Sequence, residues 1–235
     1  MKILAIDTTS TYTCAAICEN EHFLAEYFAD TNIKHSEALL PAIQQILQQN
    51  QLNMNDIDML AVAVGPGSFT GVRIGTATAK GLAFGRDIPC VPVSSLEALA
   101  YNFSGQSGII CPVMDAKRGQ YYNALFEWQA DKLCRLTSDR LITFDELHAE
   151  LAQYDCDIRL CGDAYTAVLA SMKALDDSAK FFESPLVKVK NSAYSVARAA
   201  LAKYRADETV DYSDIALLPT YLRSSQAERE KKDNL

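Results

Sequence analysis

Met59-Leu-Ala-Val-Ala-Val-Gly-Pro-Gly-Ser-Phe-Thr-Gly-Val-Arg-Ile-Gly75 is the stretch on which the reading of the fold turns. Its first six residues are apolar without alternation, the pattern of a strand buried on both faces, as parallel strands of α/β proteins are. Gly65, Pro66 and Gly67 break that strand, Ser68 or Thr70 can cap, and helical propensity continues to Phe84 with Gly85 just beyond it. Gly71, Gly75, Ala79 and Ala83 recur every fourth position, so one face of this helix is nearly flat. Two readings stay open for that face: close packing on the chain's own sheet, or a seam for a partner helix.

Two phosphate-binding mechanisms are excluded by the same stretch. A P-loop needs Gly, four residues and then Gly-Lys-Ser/Thr, and no Lys follows any glycine here. The dinucleotide fingerprint fails because Thr70 stands at its third glycine, and Pro66 removes a backbone donor.

At 235 residues the chain can bury a large core as one large or two small domains. With 49% hydrophobic and 22% charged residues it has the composition of an ordinary globular protein. No run is long enough to span a bilayer, and Met1 to Asp7 meets an acid too soon for a signal peptide, so no membrane role and a cytoplasmic location are expected. Seven scattered cysteines, an odd number, read as reduced, small buried hydrophobes. The net charge of -8 argues against a chain that holds nucleic acid by itself, because phosphate contacts need clustered Lys and Arg. A role on RNA would run through a basic partner.

Working outward, the chain opens with strands at Ile3 to Ile6, Thr13 to Cys18 and through Leu24 to Phe28, a β-meander. A helix from Ser36 to Gln49 follows, with Leu39, Leu40, Ile43, Ile46 and Leu47 as its apolar stripe and with Pro41 calling for a later start or a kink. After Met59 to Phe84 come a strand at Cys90 to Val93 and a helix from Ser95 to Tyr101. Strands alternating with helices predict a mixed, largely parallel sheet covered by helices. Beyond the polar stretch Asn102 to Gly108 the pattern restarts: strands at Ile109 to Met114, Tyr121 to Trp128 and Cys134 to Ile142. Setting Asp7 on Asp115 without gaps aligns Ala16 with Ala124 and Glu19 with Glu127. A helix from Phe144 to Gln153, a strand from Ile158 to Cys161, a helix from Tyr165 towards Lys173 and one from Ser192 to Tyr204 complete it. The expected division is 1–102, 103–225 and a disordered charged tail, 226–235.

A strand that ends in Asp and turns into a second strand, once per half, is the layout of actin-like and sugar-kinase-like ATPases. Asp7-Thr8-Thr9-Ser10 and Asp115-Ala116-Lys117-Arg118-Gly119 are the two turns. Such chemistry uses a carboxylate to hold magnesium and hydroxyl or backbone donors to cradle oxygens. The first turn lacks a glycine and the second has cations in place of hydroxyls; both are degraded for ATP. Capping of the turns by Asp7 and Asp115 through their own hydrogen bonds is the other reading. His22, His35 and His148 lack metal-ligand spacing, which disfavours a metal hydrolase, and no Gly-x-Ser-x-Gly elbow exists. No catalytic or metal-ligating residue is assigned.

Leu4-Ala-Ile-Asp-Thr-Thr-Ser10, His35-Ser-Glu-Ala-Leu-Leu-Pro41, Gly65 to Gly75 and Asp115 to Gly119 together strongly resemble the TsaB (YeaZ) family of bacterial tRNA threonylcarbamoyladenosine biosynthesis subunits, up to about Tyr221. The resemblance implies an actin-like ATPase (ASKHA, RNase H-like) α/β fold of two related halves, each with a mixed sheet covered by helices. It implies a non-catalytic scaffold and activator that docks on the paralogue TsaD, which carries the metal and catalytic site, and acts with the ATPase TsaE and the synthase TsaC to modify tRNA adenosine 37. Contact with tRNA would be indirect, and the chain alone would form a homodimer. The partner surface maps onto the helices Ser36 to Gln49 and Thr70 to Phe84, with Leu39, Leu40, Ile43, Leu47, Phe69, Gly71, Arg73, Gly75, Thr76 and Ala79 as candidates. No intrinsic cofactor is expected. Asp7, Thr8, Asp115 and Gly162 are degenerate nucleotide-site candidates, since Gly162-Asp163 stands where nucleotide-binding relatives usually have two glycines, and ATP or ADP at the complex with TsaD and TsaE is left open. The competing function is a stand-alone ATPase or small-molecule kinase on the same fold; a metalloprotease would need bound zinc or iron.

Overall fold

The decisive stretch folds as strand and helix, β4 at Met59–Ala63 with every residue buried and α2 at Phe69–Ala83. Of the two possible caps Ser68 serves, its Oγ accepting from the Gly71 amide, and Gly85 follows at φ +71°. The computed structural model describes residues 1–30, 33–175, 180–182 and 184–223; the tail 226–235 lies outside them.

The meander is β1 (Lys2–Asp7), β2 (Thr13–Glu19) and β3 (His22–Ala29), followed by α1 (His35–Gln49). Helix α1 runs from His35 through Pro41 to Gln49, so the later start is not adopted. After α2 come β5 (Cys90–Val93) and α3 (Ser95–Tyr101). The first sheet has the order β3-β2-β1-β4-β5, antiparallel through the meander and parallel from β1 to β5.

The second half contains β6 (Ile109–Asp115), β7 (Gln120–Asn123), β8 (Phe126–Gln129), β9 (Lys132–Arg135) and β10 (Arg140–Thr143). Next are α4 (Phe144–Leu151), β11 (Ile158–Cys161), α5 (Tyr165–Ala174), β12 (Phe181–Phe182), α6 (Leu186–Val189) and α7 (Ala193–Ala206). The order β10-β7-β6-β11-β12 repeats that of the first sheet with the same orientations. The two strands expected at 121–128 and 134–142 are each broken in two. Leu125 is the break: its amide bonds the Thr137 Oγ1 at 2.8 Å, and its carbonyl accepts from the amides of Leu136 and Thr137.

The repeat is real, but the gapless alignment is out of register by one residue. Asp7 pairs with Cys14, whereas Asp115 pairs with Tyr121, so the offset is 108 on the first strand and 107 on the second. Lys2 pairs with Glu19 and Ile110 with Phe126, which sets Glu19 on Phe126. The second turn is shorter because Lys117, Arg118 and Gly119 all adopt left-handed backbone, at φ +64°, +59° and +72°.

Three cores result. The first sheet buries one face under α1 and α2, where Leu39, Ile43 and Ile46 pack on Leu4, Ile6 and Leu60. Each such side chain contributes about 1.5–3 kcal/mol. Its other face lies under α7, in a core that runs on into the second half through Ile110, Met114 and Phe126. The third core holds α4 and α5 on the second sheet. The division at residue 102 therefore does not carry through to residue 225: α7 and the segment after it return to the first sheet, where Cys90 N–H bonds Tyr212 O at 2.7 Å and Thr220 N–H bonds Val64 O at 2.8 Å. Alanines at 193, 197, 199 and 200 let α7 lie close against the strands.

Candidate functional site

The two Asp turns face a cavity of about 610 Å³ between the halves, lined by Thr9, Ser10, Ser68, Asp115, Lys117, Asp163 and Arg223 among others. Asp7 is not part of its wall. Its side chain is 1% exposed, its Oδ1 accepts from the Thr9 amide at 2.8 Å and the Thr9 hydroxyl at 2.7 Å, and its Oδ2 accepts from the Asn191 amide nitrogen at 2.8 Å. Burial pushes the carboxyl up, against the pull of those hydrogen bonds. Asp7 thus closes its own turn and anchors residue 191, the second of the two readings of this residue.

The glycines of the crossing receive this turn. A Cβ on Gly67 would lie 2.2 Å from Thr9 O, one on Gly71 1.8 Å from Thr8 O, and one on Gly75 2.7 Å from Thr8 Oγ1. Thr8 Oγ1 donates to Gly71 O at 2.7 Å, and Ser68 N–H bonds Thr9 O at 2.7 Å. The flat helix face is therefore filled by the chain itself. His35 fixes the turn from the other side: Ser10 O can only accept, so Nε2 donates to it at 3.1 Å and Nδ1 accepts from the Thr13 hydroxyl at 2.7 Å.

The second turn is built differently. Asp115 accepts from the Lys117 amide and from Lys117 Nζ, both at 2.6 Å; partial burial opposes ionisation, yet Lys117 prevails and holds the carboxyl below its ordinary range. The Asp115 amide donates to Asp163 Oδ1 at 2.9 Å, and burial raises Asp163. Gly162, at φ +96°, brings the end of β11 against Val113 O, 2.2 Å from where its Cβ would stand. The carboxylates of the cleft are engaged by the chain's own donors. Among the described residues no three His, Cys, Asp or Glu side chains gather where they could hold a metal ion.

Packing removes seven of the ten seam candidates from the surface: Leu39, Ile43, Leu47, Gly71, Gly75, Thr76 and Ala79 are buried in the chain's own core. Leu40 is 53% exposed, Arg73 is exposed and Phe69 half-buried. Arg73 and Phe69 are held by a residue sequence reading passed over: Arg73 Nε donates to Tyr221 Oη at 2.9 Å, the Phe69 and Tyr221 rings lie 4.7 Å apart, and the guanidinium sits 3.9 Å over Phe69. Arg223, two residues on, donates to Ala116 O and Lys117 O across the cleft. A groove of about 490 Å³ lined by Leu40, Leu47, Leu52, Met54 and Leu82 lies at α1 and α2, and Phe84 is 76% exposed at the end of α2. Asn191, Tyr221 and Arg223 carried no local sequence signal, because their partners lie more than a hundred residues away.

Comparison with known proteins adds four findings. The profile of the family described as TsaD, tRNA N6-adenosine threonylcarbamoyltransferase, matches residues 29–231. A Bacillus subtilis (strain 168) protein named tRNA threonylcarbamoyladenosine biosynthesis protein TsaB is 36% identical over 162 residues, 69% of this chain and 71% of its own length. An Escherichia coli (strain K12) protein of the same name is 38% identical over 134 residues, 56% of this chain and 57% of its own length. In three dimensions, YeaZ from Pseudomonas aeruginosa superposes with a TM-score of 0.74, covering 94% of this chain and 99% of that one at 21% identity, a likeness of fold.

Proposed function

The chain belongs to the TsaB family of tRNA threonylcarbamoyladenosine biosynthesis proteins, and from that premise we propose that it is a non-catalytic scaffold and activator that docks on a TsaD-like paralogue and acts with a TsaE-like ATPase. The observation that carries this reading is the seating of Thr8 and Thr9 on Gly67, Gly71 and Gly75. In a phosphate-binding cleft the backbone donors of such a crossing would be free for oxygen atoms; here the Ser68 amide donates to Thr9 O and the Gly71 amide to Ser68 Oγ. Asp7 is sealed away from solvent, so it has no open position for a hydrated magnesium ion.

Docking falls to the outer surface of α1 and α2. Leu40, left in solvent, lines an apolar groove at α1 and α2, and Phe84 is a second large apolar side chain left in solvent at the end of α2, the composition of an interface core. The same surface serves the homodimer of the isolated chain, and tRNA is met through the partner. Location in the cytoplasm goes with that role. Nucleotide, if held at all, is held at the complex with the paralogue.

Reconstitution of the threonylcarbamoyladenosine modification with purified subunits, with and without this chain, tests the proposal. Modification should need the chain, while calorimetric titration of the chain alone with magnesium-ATP should show no heat of binding. Tight binding by the isolated chain, lost in Asp7→Ala, would instead identify a stand-alone ATPase or small-molecule kinase.

A further inference from the structure

A second surface lies on the opposite face of the first sheet from α1 and α2. Strand β3 is an edge of that sheet, bonded to β2 alone, and among the described residues its outward amides and carbonyls have no backbone partner. At eight residues it is long for an edge, and its sequence, His-Phe-Leu-Ala-Glu-Tyr-Phe-Ala, carries neither Pro nor Lys to discourage pairing. Its only acid, Glu26, turns inward, where its Oε1 accepts from Ser192 Oγ at 2.9 Å and the Tyr194 amide at 3.2 Å at the start of α7.

Beside this edge is a cavity of about 530 Å³ walled by Phe28, Tyr101, Tyr194 and the apolar parts of Leu186 and Val187, and by Glu26, whose Oε1 is taken up by Ser192 and Tyr194. Leu186 is 66% and Val187 79% exposed, so the apolar surface continues outside the cavity. Three half-buried cations ring it. Lys190 has Asp30 at 3.5 Å, but no carboxylate pairs with Lys188 or Arg198 among the described residues; Lys188 sits 6.0 Å from the Phe103 ring, and Arg198 donates to Tyr101 O and Ser104 Oγ and lies 5.6 and 5.9 Å from the Tyr101 and Tyr194 rings. Half-buried cations whose charge no described carboxylate offsets, in a chain of net charge -8, mark a place where an anion is favoured.

We propose that the β3 edge and this cavity form a docking groove for an extended acidic segment of a partner protein. The segment adds a strand to the sheet, sets an aliphatic side chain against Leu186, Val187 and Phe28, and lays carboxylates on Lys188 and Arg198. Because α1 and α2 cover the other face, both surfaces can be occupied together.

The test is fluorescence polarisation with the full chain and a fluorescein-labelled peptide of alternating glutamate and valine, as long as β3. Saturable binding is expected, with slowed hydrogen exchange in β3 and roughly a tenfold or greater loss of affinity in Lys188→Glu. Two controls use the unaltered chain, so a variant that folds poorly does not decide the matter: the same peptide with lysine for glutamate, and with alternate amides N-methylated, should both fail to bind. No saturation by about 1 mM, equal binding of the lysine peptide, or binding that survives N-methylation overturns the proposal.

Discussion

At the scale of single residues, the chain's glycines differ sharply in what they permit. Gly71→Ala forces a methyl onto Thr8 O, a backbone atom that cannot step aside, and should cost about 1–3 kcal/mol or more by urea melt. Gly81→Ala, on the same helix with nothing within 4 Å, should stabilise by about 0.5–1 kcal/mol. Equal effects of the two substitutions would contradict the packing of α2 on the first turn. Asp7 and Glu26 both have carboxyls raised, chiefly by burial. The folded chain therefore keeps these protons to higher pH than the unfolded chain does. The stability they contribute is full below the ordinary values of 3.8 and 4.5 and declines as pH rises through the raised ones. Asp115, lowered, has the opposite sign and loses its contribution as pH falls. In Asp7→Asn the amide of Asn191 can turn over, since its Oδ1 is buried without a partner, and accept from the new side chain. Urea melts from acid to neutral pH should show stability falling less steeply in this variant; an unchanged slope would show that Asp7 titrates alike in both states.

At the scale of elements, strands and helices were legible wherever apolar period and capping agreed, as in β4 and α2. The breaks between β7 and β8 and between β9 and β10 were not. Ala124, Leu125 and Phe126 are all fully buried, which reads as one unbroken strand, and only the bonds of Leu125 to Leu136 and Thr137 reveal the interruption. The one-residue slip of the repeat had the same origin, since three left-handed residues in a row include two, Lys117 and Arg118, that seldom adopt that backbone. The seam candidates illustrate another limit. Periodicity finds the apolar stripe of α1 but not which part of it meets its own sheet, and Leu39, Ile43 and Leu47 do. Of the candidates Leu40, Phe69 and Arg73 stay outside the core, with Phe69 and Arg73 held by Tyr221, and Phe84, which was not among them, also stands in solvent. Leu40→Lys and Phe84→Lys should leave the thermal midpoint unchanged, because both side chains stand in solvent, while abolishing association with a TsaD-like chain by gel filtration.

For the molecule as a whole, two repeated halves were visible from sequence, whereas the return of the chain to its first half was not. Helix α7 and residues 207–223 cross back over the first sheet, and Arg223 then reaches to Ala116 and Lys117 of the second. This clasp, with Tyr221 against Phe69 and Arg73, ties the outer surface of α2 to the mouth of the cleft. Arg223→Ala should speed hydrogen exchange of the amides at 116–120 without lowering the global melting temperature by more than a few degrees; unchanged exchange there would show that the clasp bears no strain between the halves. The first turn is engaged by the glycine-rich crossing, and the function proposed here lies on the outside of α1 and α2. Sedimentation velocity of this chain mixed with a purified TsaD-like paralogue decides that point. A heterodimer is expected for the parent chain and for the cleft variant Asp163→Asn, and for Phe84→Lys this chain sediments as a separate monomer, since the same surface serves its homodimer; a heterodimer that survives Phe84→Lys and Leu40→Lys together but is lost in Asp163→Asn would contradict this.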